Sequence, residues 1–207
     1  YRIMVLFGGR NWQGARTIEA YKFDDFADKH KLFLISPSFK DEDYWEPEKW
    51  SGKALFTAIS ELEKRYGLKD CRLYFYGYSA GGQCANLFYA YAPERVDAWA
   101  AHACGVYFNT SKLKNGVTAL ITCCYGDNER CEISKTFAYR YREAGGSLTL
   151  KFYQGEHELN PDSLTLAKAF FSAVISGGKA EFIGEDDTMR VFPASDAGKV
   201  EIEFRNP

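Results

Sequence analysis

Arg72-Leu73-Tyr74-Phe75-Tyr76-Gly77-Tyr78-Ser79-Ala80-Gly81-Gly82 is the stretch on which the fold turns. Arg72–Tyr76 reads as a buried strand. Gly-x-Ser-x-Gly follows it without a gap, and Ala80–Tyr91 then reads as a helix ended before Pro93. Alone, the five-residue pattern is weak. Set between a strand and a helix it gains specificity, because so sharp a turn drives the side chains beside the serine into one another. Glycines at 77 and 81 remove that collision. Ser79 then stands at a helix N-terminus, where backbone N–H groups point outward. A plain turn with an N-cap serine would not need glycine on both sides.

The same grammar extends in both directions. Upstream, Arg2–Phe7 is a strand running into Gly8-Gly9. Ile18–Lys29 has helical spacing, Leu32–Ile35 reads as a buried strand, and Ser51 is expected to cap a helix of Lys53–Tyr66 stopped by Gly67. Downstream, strands are expected at Ala98–Cys104, Val117–Tyr125 and Leu148–Tyr153, and helices at Cys131–Ala144 and Ser163–Ile175. Alternating strands and helices imply an α/β fold, a mostly parallel sheet with helices on both faces. Ligands of such sheets bind beyond the carboxyl ends of the strands, so the loops that follow strands are where chemistry is sought. After Gly178 the pattern changes to short strand-like runs at Glu181–Ile183, Arg190–Phe192 and Val200–Phe204. The expected division is residues 1–178 as one catalytic domain and 179–207 as a small β appendage.

A serine hydroxyl needs a neighbour to take its proton. Three histidines are available. His30 precedes a strand, at the wrong edge of the sheet, and is expected at the surface. His102 lies within or near the end of a strand, which favours a core or supporting role and leaves it second in line as the base. His157 follows the last strand of the α/β unit, in Gln154-Gly155-Glu156-His157-Glu158, and is the expected general base. The imidazole in turn needs a carboxylate to orient it. Asp127, directly after the strand Val117–Tyr125, is the expected acid, with Glu129 or Asp162 as alternatives should Asp127 only cap the next helix. A tetrahedral intermediate needs N–H donors. Ala80 supplies one; the second is expected from Gly9 or Arg10 in the loop after the first strand, and the sequence does not choose between them.

Composition bounds the rest. The chain has 207 residues, 46% hydrophobic and 26% charged, with 26 basic against 28 acidic side chains. A net charge of −2 argues against a nucleic-acid binder working through a basic face. The longest nearly apolar run, Ala98–Phe108, is too short to span a bilayer. No secretory leader is visible, and because the chain starts at Tyr1 an upstream segment is expected to have been trimmed. That leaves localisation open between cytoplasmic and secreted. Six cysteines show no Cys-x-x-Cys spacing and none pairs with a histidine at ligand spacing. Mostly free thiols are expected, with no metal and no cofactor. Oligomeric state is not legible.

Taken together, the elbow Gly77–Gly82, the Gly126-Asp127 segment and the His157 loop resemble the α/β-hydrolase superfamily over residues 1–177, with its chain order of Ser, Asp, His. Leu68–Gly82 and Pro93–His102 resemble the esterase group of polyhydroxybutyrate depolymerases and feruloyl esterases. The resemblance implies a serine esterase with Ser79, Asp127 and His157 as triad. Two departures are visible. The superfamily usually has two strands before the one at Arg2–Phe7, so the fold is expected to be N-terminally shortened. Its acidic segment is followed here by Asn128-Glu129-Arg130. Lids in this superfamily are commonly inserted after the strand matching Ala98–Cys104; Gly105–Asn115 leaves no room for one. The expected site is therefore open, suited to a small-molecule or polymer-attached ester. Trp12, Tyr78 and Tyr107 are the expected substrate contacts, with Tyr44, Trp45, Trp50 and Phe108 nearby. Two other functions fit the same residues: a peptidase resembling the prolyl-oligopeptidase group, separable by dipeptide amides against aryl esters, and a non-catalytic binding module whose serine would not react with a fluorophosphonate probe.

Overall fold

The computed structural model describes residues 1–39, 42–110 and 117–177, and the main chain of 188–191. Among the described residues, seven strands form one sheet: β1 (Arg2–Phe7), β2 (Leu32–Ile35), β3 (Arg72–Tyr78), β4 (Val96–His102), β5 (Thr118–Cys124), β6 (Ser147–Tyr153) and β7 (Thr188–Val191). Their spatial order is β2-β1-β3-β4-β5-β6-β7. The first six are parallel to one another, and β7 pairs antiparallel with β6. The helices are α1 (Gly14–Tyr21), α2 (Asp24–His30), α3 (Gly52–Arg65), α4 (Ala80–Tyr91), α5 (Asn128–Glu143) and α6 (Pro161–Ile175). The sheet grows to opposite sides of β1. Right-handed crossovers therefore place α1 and α2 on one face and α3, α4 and α5 on the other, and α6 returns to pack beside α2.

The central strands explain their own sequences. β1, β3 and β5 are buried at nearly every position, so both faces must be apolar, and they read as continuous hydrophobic runs. Trp99 on β4 anchors the core between α4 and α5, with its ring near Tyr89, Phe137 and Tyr141. All six cysteines are buried free thiols. Among the described residues, no helix is long and apolar enough to cross a membrane.

Several expected elements are corrected. The single helix at Ile18–Lys29 is two helices, broken at Lys22, whose backbone is left-handed with φ 52°. Tyr21, Phe23 and Phe26 are all buried. At 100° per residue, Tyr21 and Phe23 would face opposite sides of one helix, so the chain turns to bury both. Ser51 does not cap α3. It sits in the last position of a π-type turn (Pro47–Ser51), and its hydroxyl donates to the Tyr44 carbonyl at 2.6 Å. β2 is half-buried, because it is the sheet edge and pairs only with β1. His30 is half-buried against the Phe26 ring rather than at the surface. β3 runs two residues past Tyr76, β4 stops at His102 rather than Cys104, and α5 starts at Asn128. Of the runs expected after Gly178, Glu181–Ile183 and Val200–Phe204 lie outside the described residues. So do Phe192, residues 40 and 41, and residues 111–116 between β4 and β5.

Candidate active site

The turn from β3 to α4 sets the serine. Ser79 has φ 57° and ψ −121°, a backbone conformation costing about 1–3 kcal/mol in a non-glycine residue. Its N–H donates to the His102 carbonyl at 2.8 Å, which ties the turn to the end of β4. The two flanking glycines are steric requirements. A Cβ at Gly77 would strike the Gly81 carbonyl, and one at Gly81 would strike the Phe7 carbonyl. The second contact shows that the end of β1 lies directly on the first turn of α4. The Gly8–Trp12 loop is therefore delivered beside Ser79. That loop is closed by Trp12 N–H to the Gly9 carbonyl at 3.0 Å, which leaves the N–H groups of Gly9 and Arg10 outside its own hydrogen bond. The Ala80 N–H is the first of α4 and has no partner within the helix.

His157 and Asp127 arrive by a different route. Parallel pairing of β5 with β6 continues past both strand ends, through Tyr125 N–H to the Tyr153 carbonyl and Gly126 N–H to the Gly155 carbonyl, each 2.8 Å. The two loops thus leave the sheet side by side. His157 Nδ1 lies 2.6 Å from Asp127 Oδ2, and His157 Nε2 lies 2.9 Å from Ser79 Oγ. A carboxylate only accepts, so Nδ1 carries the proton and the Nε2 lone pair faces the serine hydroxyl. Asp127 is 5% exposed and His157 35% exposed, so the relay is buried at its acid end and open at its serine end. Asp127 precedes α5, yet its side chain makes no capping bond to that helix. Of the alternatives, Glu129 is exposed on the first turn of α5 and Asp162 lies in the first turn of α6; neither is hydrogen-bonded to His157.

His102 is not positioned as a base. Its ring is fully buried, with Nδ1 2.8 Å from Thr122 Oγ1 and Nε2 2.9 Å from the Glu158 carbonyl. The carbonyl can only accept, so Nε2 carries the hydrogen and the Thr122 hydroxyl donates to Nδ1. Burial, the largest cause, pushes the His102 pKa down to about 4, which leaves the ring neutral near pH 7. It holds the residue that follows His157. Tyr78 holds His157 itself: the phenol hydroxyl donates to the His157 carbonyl at 3.1 Å, and its ring stacks on both His157 (5.3 Å) and His102 (5.8 Å).

The other expected contacts divide. Trp12 is half-exposed, with its ring 5.9 Å from Tyr78 and the Arg16 guanidinium 4.4 Å from its centroid. It stands at the edge of the site. Tyr78 is buried beneath His157 and offers no open platform. Tyr107 turns away to α5, where it stacks on Phe137 at 4.3 Å and its hydroxyl meets Ser134 Oγ at 3.2 Å. Phe108 packs on Phe137 and Tyr89. An apolar gap against α5 takes these two rings, which sequence alone does not distinguish from a ligand surface. Trp50 and Tyr44 pack with Phe39, and Trp45 packs on Tyr44. One contact was not foreseen: Arg130 Nη1 donates to Asp127 Oδ1 at 3.0 Å. The signal was a basic residue three positions after the acid, at the start of a helix.

No protein-family model matches the chain, and no curated protein matches it in sequence. Solved structures do match in fold. Esterase PE8 aligns with a TM-score of 0.66 at 19% identity, covering 84% of this chain and 92% of that one. An S-formylglutathione hydrolase from Agrobacterium tumefaciens aligns at 0.66 and 14% identity, covering 84% and 83%. The poly(3-hydroxybutyrate) depolymerase LpqC from Bordetella parapertussis aligns at 0.59 and 16% identity, covering 82% and 78%. At such identities the likeness is one of architecture, and it agrees with the mostly parallel sheet described above: the chain has the α/β-hydrolase fold.

Proposed function

We propose that this protein is a serine hydrolase of carboxylic esters, acting through an acyl-enzyme on Ser79. The observation that carries the reading is the continuous relay from Ser79 Oγ through His157 to Asp127, at 2.9 and 2.6 Å. The fold neighbours support it, since they include proteins named as an esterase, a carboxylesterase, an S-formylglutathione hydrolase and a poly(3-hydroxybutyrate) depolymerase.

In this reading Ser79 Oγ attacks the ester carbonyl carbon as its proton passes to His157 Nε2. The carbonyl π pair moves to oxygen, where N–H groups of Ala80 and of Gly9 or Arg10 receive the developing charge. Collapse of the tetrahedral adduct expels the alkoxide, which takes the proton from Nε2 and leaves as alcohol. Water then repeats the sequence on the acyl-enzyme, giving up one proton to His157 and releasing the acid. Asp127 accepts the Nδ1 hydrogen bond throughout and stays a carboxylate. Trp12 lines the approach for the bound group. The open serine end suits an ester on a small molecule or on a polymer.

Ser79→Ala, assayed on p-nitrophenyl acetate, is expected to lose about 10³-fold or more in kcat. A variant that turns over at the wild-type rate would refute the proposal.

A further inference from the structure

A carboxylate directly before a helix ordinarily folds back onto it, accepting from the N–H groups of the second and third helical residues. For Asp127 those are Glu129 and Arg130, at the start of α5. That bond is absent: the carboxylate faces outward to His157. Two acceptor sites therefore compete for one side chain, its own helix and the imidazole. What holds the outward position is visible on the second oxygen. Oδ2 is used by His157, and Oδ1 accepts from Arg130 Nη1 at 3.0 Å. The guanidinium replaces the helix N–H groups as the partner of Oδ1, while Oδ2 stays with His157.

The surroundings keep the arginine in that place. Its Nε lies 3.4 Å from where a Cβ would stand on Gly105, just past the end of β4, so the side chain runs close along the β4 exit. Asp127 is 5% exposed and Arg130 32%, so the carboxylate is dry while the cation keeps part of its hydration. An ion pair to a buried carboxylate that also makes a second hydrogen bond has a defined geometry, unlike a pair between two exposed chains.

We infer that Arg130 is a positioning residue for the proposed reaction: it holds Asp127 turned to His157 and away from the cap of α5. The inference rests on the serine-hydrolase reading. It makes an unusual demand, since removing the arginine releases Asp127 to cap its own helix. Activity is lost while stability is kept.

The test is hydrolysis of p-nitrophenyl acetate, with thermal melts in parallel, by wild type, Arg130→Gln, Arg130→Lys, Asp127→Asn and the two double variants. Misplacing the orienting group by a fraction of a side-chain length is expected to lower kcat of Arg130→Gln by about 10²-fold, with KM within about twofold. Arg130→Lys, which keeps the charge but not the fork, is expected between wild type and Gln. Melting temperatures of both single variants stay near wild type. In the Asp127→Asn background neither Arg130 substitution lowers kcat further, because the group it positions is gone. Guanidinium ion at low millimolar concentration restores part of the activity of Arg130→Gln. Arg130→Gln within twofold of wild type, or a loss that adds in full to that of Asp127→Asn, overturns the inference. If Arg130→Gln does not fold, the same comparison is made with Arg130→Lys, and an additive loss overturns it equally. Full turnover by Ser79→Ala is a separate result: it removes the serine-hydrolase reading itself, whatever Arg130 does.

Discussion

The elbow around Ser79 and the loop around His157 meet at one hydrogen bond, yet they are built on opposite principles. The elbow is written locally. The residues that permit its conformation lie within six positions, Gly77 to Gly82, although the need for glycine at 81 comes from the Phe7 carbonyl packed against it. The His157 loop is fixed from a distance. Its carbonyls are held by Tyr78 and His102, and Gly155 is held by Gly126. Half of the proposed catalytic geometry can thus be written in a short motif, while the other half depends on three separate strands arriving in register.

The sharpest way to break this comparison is at Gly81. Gly81→Ala drives a methyl group into the Phe7 carbonyl, where backbone rather than a flexible side chain must give way. A destabilisation on the order of 3 kcal/mol or more is expected in urea melts. A variant as stable as wild type would show that the elbow adapts as readily as a loop.

An effect of similar size but different trigger is expected at His102. Its folded-state pKa of about 4 lies below the ordinary histidine value of 6.5. Between those values the unfolded chain binds the proton and the native ring does not, so stability is full above pH 6.5 and falls as pH drops towards 4. The loss is on the order of 3 kcal/mol across that window. Measured as urea midpoint against pH, this slope is expected to shrink in His102→Gln. An unchanged slope would assign the acid sensitivity elsewhere.

The smallest change is Tyr78→Phe. It deletes only the hydroxyl that donates to the His157 carbonyl and keeps the stacked ring. One hydrogen bond is worth about 1 kcal/mol, so kcat on p-nitrophenyl acetate should fall about fivefold, with little change in KM. A loss as large as that of Ser79→Ala would mean that the loop has no other support.

This contrast also explains what could be read in advance. That Ser79, Asp127 and His157 meet was legible because each follows a strand, and the sheet brings strand ends together. The start of α4 at Ala80 was legible from the same turn. His102 could be given a supporting role but not a partner, because its bond to Glu158 joins residues 56 positions apart. The stacking of Tyr107 on Phe137 was not legible, since an aromatic after a strand looks the same whether it faces a ligand or another ring. The break at Lys22 was hidden because helical spacing resumes on its far side; only the joint burial of Tyr21 and Phe23 demands the turn. Arg130 stood in plain view as a departure from the expected acidic segment, but its meaning needed the direction of one carboxylate.

The six cysteines give the molecule a property unrelated to chemistry at Ser79. Every sulfhydryl is sealed inside, on strand β5, on helices α4 and α5, just before β3 or just after β4, and no disulfide ties any two together. An alkylating reagent in solution can reach them only when those parts of the chain open. The protein therefore carries its own clock for unfolding: the rate at which each sulfur becomes modified reports how often its neighbourhood breathes, with no label added from outside.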